Sequence, residues 1–432
     1  MKRLLLGNEA LALGAYMAGV TVATGYPGTP STEILEYFAN YPGVYAEWSP
    51  NEKVALEVGI GAAMAGARTM TTMKHVGLNV AADPFFAVAY TGIEAGLVII
   101  SADDPGMHSS QGEQDNRNYA KFAKVPLLEP ADSQECAEMM RIGLEISEQF
   151  DTPVLLRTTT RVSHGQSLVE VNAEQIRRGS VGRPATADGA AGRPATADGA
   201  AGRPATAELR AFNRNPAKYV MLPSNARQRR VIMEERLAKL REYAEATPLN
   251  FIRWGDRRLG IIASSIAYVY AREVFPQASF LKLGMAHPLP RRLILEFARQ
   301  VDTLLICEEL DPYLEEQIRA LPGIAAERVH GKDVFPAVGE FTPELVARCA
   351  VAHGLATADT IPDHLLAGPE SPLPPAIPQR PPLLCAGCGH RGAFYVLRQL
   401  MFGNEGAGGQ ELRQGGARSP YVRGNLERRR QY

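Results

Sequence analysis

Cysteine is scarce in this sequence. The 432 residues hold five, and Cys136, Cys307, Cys349, Cys385 and Cys388 are too few and too scattered to form a disulfide framework. That points to a reducing, cytoplasmic compartment. Long hydrophobic runs are also missing. The apolar stretches are short and broken by Gly, Asp or charge, which gives no transmembrane candidate. The opening MKRLLLGNEALALG carries two basic residues and three early leucines, but Asn8 and Glu9 stop the run too soon for a signal peptide. Charge of one sign is absent as well. Lys and Arg number 46 against 47 Asp and Glu, a net charge of −1, so no global field recruits nucleic acid or an acidic membrane. What remains is an ordinary globular composition, 45% hydrophobic and 22% charged, long enough for two or three domains with their own cores.

Residues 1–165 alternate helix and strand signals. Asn8 is placed to cap a helix running through Ala18. VTVAT (20–24), VYAEW (44–48), RTMTTMKH, AGLVIIS (95–101) and TPVLLRTTT (152–160) read as strands. NEKVALEVGIGAAMAGA (51–67) and 132–149 read as helices, the first with small residues that allow close packing. Such alternation predicts an α/β fold with a doubly wound parallel sheet. Residues 166–257 change character. GRPATADGAA occurs twice in tandem at 182–201 and GRPATA follows at 202–207, which predicts a flexible insertion. A charged helix at about 224–246 reads as a solvated connector. Residues 258–355 repeat the strand–helix alternation in RLGIIASS, IAYVYAREVF, ASFLKLG, RRLILEFARQV, TLLICEEL and PYLEEQIRAL. Residues 356–382 are Pro-rich and read as a linker. CAGCGHRGAF then reads as a domain opening, and residues 403–432 lack apolar periodicity and read as disordered.

Several stretches could carry chemistry. In GYPGTPSTE a strand ends in a Gly/Pro turn and feeds a helix, with Thr29 as N-cap and Pro30 at the first helical position. Backbone N–H groups around Gly28 and the Thr29 hydroxyl would there meet an anionic group. A tight capped turn explains the same residues. Glu52 opens the next helix, where a carboxylate also favours the helix dipole for structural reasons alone. Its functional reading is proton exchange with a bound heterocycle. Lys74, His75 and Asn79 end a strand in a polar loop. ADDPGMHSSQGEQDNR (102–117) is a long polar loop with no metal-ligand spacing, either an active-site loop or solvated surface. Cys385 and Cys388 form one CxxC. Two thiolates are half of what a zinc site or an iron–sulfur cluster takes, so the pair reads as an incomplete metal site. A redox dithiol has the same spacing, although the Pro and Gly around it favour a turn.

GYPGTPSTEI, YAEWSPNEKVALEV, TMKHVGLNVAADP, ADDPGMHSSQGEQDNRNYAKFAKVPLLEP, FDTPVLLRTTTRVSH, LKLGMAHPLP, EELDPYLEEQI and PPLLCAGCGHRGAF together resemble the large subunits of the indolepyruvate:ferredoxin oxidoreductase family. These are thiamine-diphosphate-dependent 2-oxoacid:ferredoxin oxidoreductases. The resemblance covers about residues 1–402, apart from the repeat. It implies oxidative decarboxylation of arylpyruvates with coenzyme A, giving aryl-acetyl-CoA, CO2 and reduced ferredoxin. It implies thiamine diphosphate, Mg2+ and [4Fe–4S] clusters as cofactors, and a hetero-oligomer with a smaller beta subunit. Residues 1–165 would be the pyrimidine-binding domain and 258–355 a transketolase C-terminal-like domain. Residues 383–402 would begin the diphosphate-binding domain. Glu52 matches the glutamate that hydrogen-bonds the aminopyrimidine ring and favours the tautomer that removes the thiazolium proton. Thr29 matches a threonine near the 2-oxoacid carboxylate.

The sequence departs from the family at its end. No Gly-Asp pair follows residue 380 and no cysteine follows Cys388, so the Mg2+–diphosphate motif and most cluster ligands are not present. Residues 403–432 resemble an out-of-frame translation, which implies a truncated record whose chain alone is inactive. In that case Leu383, Leu384, Phe394 and Leu397 lose the sheet they were to join. Two alternatives stand beside the enzyme reading. One is a non-catalytic chain serving as an assembly or interaction partner. The other is an oxidoreductase for pyruvate- or 2-oxoglutarate-like acids.

Overall fold

Short apolar runs bounded by turn residues become strands buried on both faces, and longer periodic stretches become the helices that cover them. The computed structural model describes residues 1–171, 212–366 and 392–397. In chain order the strands are β1 (Lys2–Leu6), β2 (Val22–Gly25), β3 (Tyr45–Trp48), β4 (Thr69–Lys74), β5 (Leu97–Asp103), β6 (Leu127–Leu128), β7 (Val154–Thr159), β8 (Gln166–Glu170), β9 (Asn250–Arg253), β10 (Asp256–Ala263), β11 (Ala278–Leu283), β12 (Met285–His287), β13 (Thr303–Cys307) and β14 (Val329–His330). The first helices are α1 (Gly7–Met17), α2 (Thr32–Phe38), α3 (Glu52–Met64), α4 (His75–Val80), α5 (Ala82–Thr91), α6 (Arg117–Ala123), α7 (Ser133–Phe150) and α8 (Thr160–His164).

The larger sheet has the order β12-β6-β7-β5-β4-β2-β3. All its pairings are parallel except β12 with β6. Side chains alternate strictly across it. Leu97 and Ile99 of β5 face one layer, with Leu56 of α3, Leu78 of α4 and Phe85 of α5. Val98 and Ile100 face the other, with Leu11 of α1, Leu35 of α2 and Leu144 of α7. Helices on both faces make the sheet doubly wound, as the alternation predicted. α3 packs close because of its small residues. A Cβ on Gly59 would stand 2.4 Å from the Thr71 hydroxyl oxygen.

The second sheet has the order β14-β13-β10-β11-β9, parallel apart from β9. Its apolar residues Ile262, Leu281 and Ile306 join the same core as Leu97 and Ile99. The two sheets therefore share one interior, and the described residues through 366 form one compact unit. β12 crosses that arrangement. It follows β11 by a single residue yet pairs with β6 of the first sheet. β1 and β8 make a separate antiparallel ribbon over α1 and α7.

Three local expectations need correction. Asn8 does not cap α1. The helix starts at Gly7, and the Asn8 amide is buried, donating to the Pro30 carbonyl at 2.7 Å and to Glu33 at 3.0 Å. The charged helix Pro223–Ala246 is not a solvated connector. Met233 packs into one core, and Leu240 and Ala244 into the other. Its buried arginines serve as donors: Arg229 and Arg236 bond the carbonyls of Tyr90 and Ala89 at the end of α5. Residues 356–366 do not begin a free linker. Ile361 and Leu365 are buried against the second sheet's outer core. The repeat at 182–207 and the residues beyond 397 lie outside the described residues. Of the unit 368–432, residues 392–397 are helical, and Phe394 and Leu397 are exposed there.

Asp151 holds the long helix to the first sheet. It closes α7 in a left-handed conformation, φ 52°. Its carboxylate accepts the Ile93 N–H at 2.9 Å and pairs with Lys218 at 3.0 Å, Arg229 at 3.1 Å and Arg236 at 3.4 Å. Burial pulls the Arg236 guanidinium down to about 10 against the pull of Asp151. Asp151→Ala leaves two buried cations and one N–H without their partner. We expect a loss of about 2–3 kcal/mol, less than for a fully buried pair because Asp151 is partly solvated. Chemical denaturation measures it, and a loss within the range of an ordinary surface change, about 0.5 kcal/mol, would overturn the assignment.

Candidate active site

The chain leaves β2 for β3 on one side and returns to β4 on the other. α2 and α3 therefore lie on opposite faces, and the carboxyl ends of β2 and β4 lie at this switch of direction, the place where open parallel sheets carry their ligand crevice. The segments GYPGTPST, SPNEK, KHVG and ADDPGMHSSQ all leave the sheet on this rim.

The first turn is built differently from its sequence expectation. α2 begins at Thr32, and Ser31, not Thr29, occupies the N-cap position. The Ser31 hydroxyl donates to the Gly28 carbonyl at 2.8 Å, and the Gly28 N–H donates to the Thr32 hydroxyl at 2.8 Å. Gly28 thus spends its N–H within the turn and offers none to an anion. Its lack of a side chain matters instead, because a Cβ would stand 3.0 Å from the Lys74 Cβ. Relieved of capping, Thr29 is exposed on the rim, and its hydroxyl has no partner among the described residues.

Glu52 opens α3 behind a true cap. The Asn51 side chain accepts the Val54 N–H at 2.9 Å. The Glu52 carboxylate is half-buried and lies against Gly77 in the first turn of α4. A Cβ on Gly77 would fall 2.5 Å from Oε1. Glu52 has no hydrogen bond or ion pair among the described residues, which is unusual for a carboxylate sheltered on one side.

Residues 104–116 fold over the end of β4. Lys74 Nζ donates to the Ser109 carbonyl at 2.8 Å, and His75 Nε2 lies 2.9 Å from the Gly112 carbonyl. The His75 carbonyl accepts from Gln114 and Asn116, while Asn79 exchanges bonds with Gln114 and accepts from Tyr119. His75 is fully buried and its Nδ1 has no partner among the described residues. Asp104 is the hub of the loop, accepting from Ser109, Ser110 and Thr160. Burial pushes its carboxyl up, but these bonds outweigh burial and hold it below the ordinary value. The loop is buried at its two ends, at Asp103, Asp104, Asp115 and Asn116, while residues 106–109 and 111 stay exposed, so it is anchored at both ends and solvated at its tip.

Beneath the loop run two buried guanidinium networks that sequence reading missed. Arg157 bonds Asp103 and Glu129, each at 2.6 Å. Arg117 bonds Asp115 beside it, Glu308 at 2.7 Å, and the carbonyls of Glu309 and Asp311. Glu308 also accepts the N–H groups of Leu314 and Glu315. The carboxyl end of β13 is thereby tied to the rim of the first sheet. Glu309 is buried too, and burial pushes its carboxyl up to about 7. Nearby, a cleft of about 270 Å³ is lined by His108, Thr160, Arg161, His164, Gly165 and Glu340. Glu340 pairs there with Arg161 at 2.7 Å and His108 at 3.2 Å.

Among the described residues no three His, Cys, Asp or Glu side chains come together as a metal site. Cys385 and Cys388 lie outside the described residues. No described helix is long and apolar enough to cross a membrane.

Residues 13–242 match the family model described as pyruvate flavodoxin/ferredoxin oxidoreductase, thiamine diphosphate-binding. A protein of Archaeoglobus fulgidus named indolepyruvate oxidoreductase subunit IorA is 38% identical over 93% of this chain and 61% of its own length. The protein of that name from Methanothermobacter marburgensis is 41% identical over 91% of this chain and 60% of its own. The chain thus spans about three fifths of the curated relatives it matches. Among solved structures, 2-oxoglutarate:ferredoxin oxidoreductase from Magnetococcus marinus superposes with a TM-score of 0.60 at 18% identity, covering 82% of this chain and 65% of that one. That likeness is one of fold.

Proposed function

Because the chain belongs to the thiamine-diphosphate-binding family of pyruvate flavodoxin/ferredoxin oxidoreductases, we propose that it is the pyrimidine-binding part of an arylpyruvate oxidoreductase, with Glu52 as its catalytic carboxylate. The observation that carries this reading is Glu52 itself, a sheltered carboxylate without a partner among the described residues, set against Gly77 on the rim of a parallel sheet. The residues present fit the pyrimidine end of thiamine diphosphate. Glu52 supplies a hydrogen-bond partner for a ring nitrogen, and Gly77 leaves the space beside it. The described residues offer no ligand set for the Mg2+ that accompanies the diphosphate end.

When bound, the cofactor supplies an electron sink for the decarboxylation of a 2-oxoacid. Glu52 would hold a proton at the pyrimidine nitrogen and take it back during the cycle. Thr29, freed from capping, would donate its hydroxyl to the substrate. The loop 104–116, fixed by Lys74 and His75, would close the site's edge. On this reading the whole enzyme would release CO2, transfer the acyl group to the thiol of coenzyme A, and give up two electrons to ferredoxin, for which iron–sulfur centres would supply the one-electron chemistry. Those later steps call for groups beyond the described residues, and the reading places the chain in a hetero-oligomer with a smaller subunit. The names of its relatives support indolepyruvate as the substrate type.

Thiamine diphosphate should raise the thermal midpoint of the full chain. An analogue with C–H in place of the pyrimidine nitrogen facing Glu52 should raise it less, by the worth of one charge-assisted hydrogen bond, about 1.5–3 kcal/mol. Equal effects of the two compounds, or none from either, would sink the reading.

A further inference from the structure

Lys74 is the charged group on the rim that the proposed chemistry leaves unused. It is 8% exposed, and no carboxylate stands within ion-pair distance of its Nζ among the described residues. Its one hydrogen bond goes to a neutral acceptor, the Ser109 carbonyl at 2.8 Å. The nearest influence of opposite sign is Asp104, which is already held by Ser109, Ser110 and Thr160. Buried lysines are ordinarily paired, because an ammonium without a counter-charge forfeits its hydration for little return. Burial accordingly draws the Lys74 amine below its ordinary value, against the opposing pull of Asp104.

The surroundings fix where this cation sits. Its stem runs beside Gly28, whose absent side chain gives it room. Its head reaches Ser109, whose hydroxyl lies 3.5 Å from the Thr29 carbonyl. Lys74 is therefore clasped between the turn that carries Thr29 and the loop 104–116, at the carboxyl end of β4, where the crevice opens. An ammonium has three donors, and two of these have no acceptor among the described residues.

We infer that Lys74 is a substrate-binding residue whose ammonium takes the carboxylate of the 2-oxoacid, with Thr29 beside it. The inference rests on the proposed function for the identity of the anion. The substrate's carboxylate supplies the missing counter-charge, and the two spare N–H groups supply its hydrogen bonds. Lys74 then does two jobs with one head group: it fixes the loop through Ser109 and selects acids over their neutral analogues.

Binding of phenylpyruvate and of its methyl ester to the full chain with thiamine diphosphate tests this by titration calorimetry. The wild-type protein should prefer the acid by roughly 10–100-fold, the worth of one charge-assisted bond. Lys74→Gln keeps a donor for Ser109 and removes the charge. It should abolish the preference while leaving ester affinity unchanged, and unchanged ester affinity shows that the crevice has kept its shape. Lys74→Arg keeps the charge and should restore much of the preference. A structural role alone would not follow charge in this way. A wild-type protein without the preference, or a Lys74→Gln protein that keeps it, overturns the inference. Failure of the cofactor test with a Lys74-dependent acid preference would instead overturn the proposed function and leave an anion site.

Discussion

Replacing Arg117 with methionine should cost the protein more than about 4 kcal/mol, enough to unfold much of it at ordinary temperature. The reason is where the charges are left. Arg117 is 1% exposed, and its partners Asp115 and Glu308 are buried with it. Its Nη2 also serves the carbonyls of Glu309 and Asp311, and its plane lies over the Tyr313 ring at 5.0 Å. Methionine fills the volume but satisfies none of these acceptors, so two buried carboxylates lose their counter-ion together. Denaturation in urea, followed by circular dichroism, reads the loss. A companion variant separates charge from shape. Adding Asp115→Asn and Glu308→Gln to Arg117→Met removes the stranded charges and should recover part of the stability. A single variant within about 1 kcal/mol of the wild type would mean that the network is relaxed in solution.

Glu52→Gln should do the opposite: leave the fold intact and remove activity. Glutamine has nearly the same shape, and no described residue depends on the Glu52 carboxylate for a bond. The thermal midpoint should therefore hardly move. In the assembled oxidoreductase, arylpyruvate-dependent reduction of an electron acceptor should fall by about 10²–10⁴-fold, the usual contribution of a positioned acid–base group. The fall should lie in kcat more than in KM, because in the proposed role the carboxylate would meet the cofactor and not the substrate. Glu52→Asp keeps the charge on a shorter arm and should retain more activity than glutamine does. Full activity of Glu52→Gln would remove Glu52 from the proposed chemistry.

These two residues also mark what the sequence can and cannot reveal. The position of Glu52 was legible, since it opens a helix just after a strand and the motif around it is local. The strands of the first sheet were legible for the same reason: each is a short apolar run with turn residues at its ends. Thr29 was located but given the wrong structural job. Two hydroxyl residues follow it, and only the closed turn decides that the helix starts at Thr32, with the Ser31 and Thr32 hydroxyls both spent on Gly28. Arg117 could not be read. Its partner Asp115 is two residues away, but Glu308 is nearly two hundred residues further on and comes from the other sheet. The helix Pro223–Ala246 misled for a related reason. Its arginines look solvated in sequence, because the α5 carbonyls and the Asp151 carboxylate that receive them are not written nearby. Lys74 lay in view as one of several polar residues at a strand end, and only burial and the lack of a counter-ion single it out.

The placement of β12 sets a timetable for the nascent chain. The edge formed by Leu127 and Leu128 is covered by Met285 and His287, which leave the ribosome more than 150 residues later. At about 5–20 residues per second, that edge waits on the order of 8–30 s for its neighbour. During that interval the first half presents an unpaired strand edge and the apolar surface it shares with the second sheet, the kind of surface chaperones bind. A gene fragment stopping near residue 165 would make that interval permanent, so the first half should be produced together with residues through at least 366.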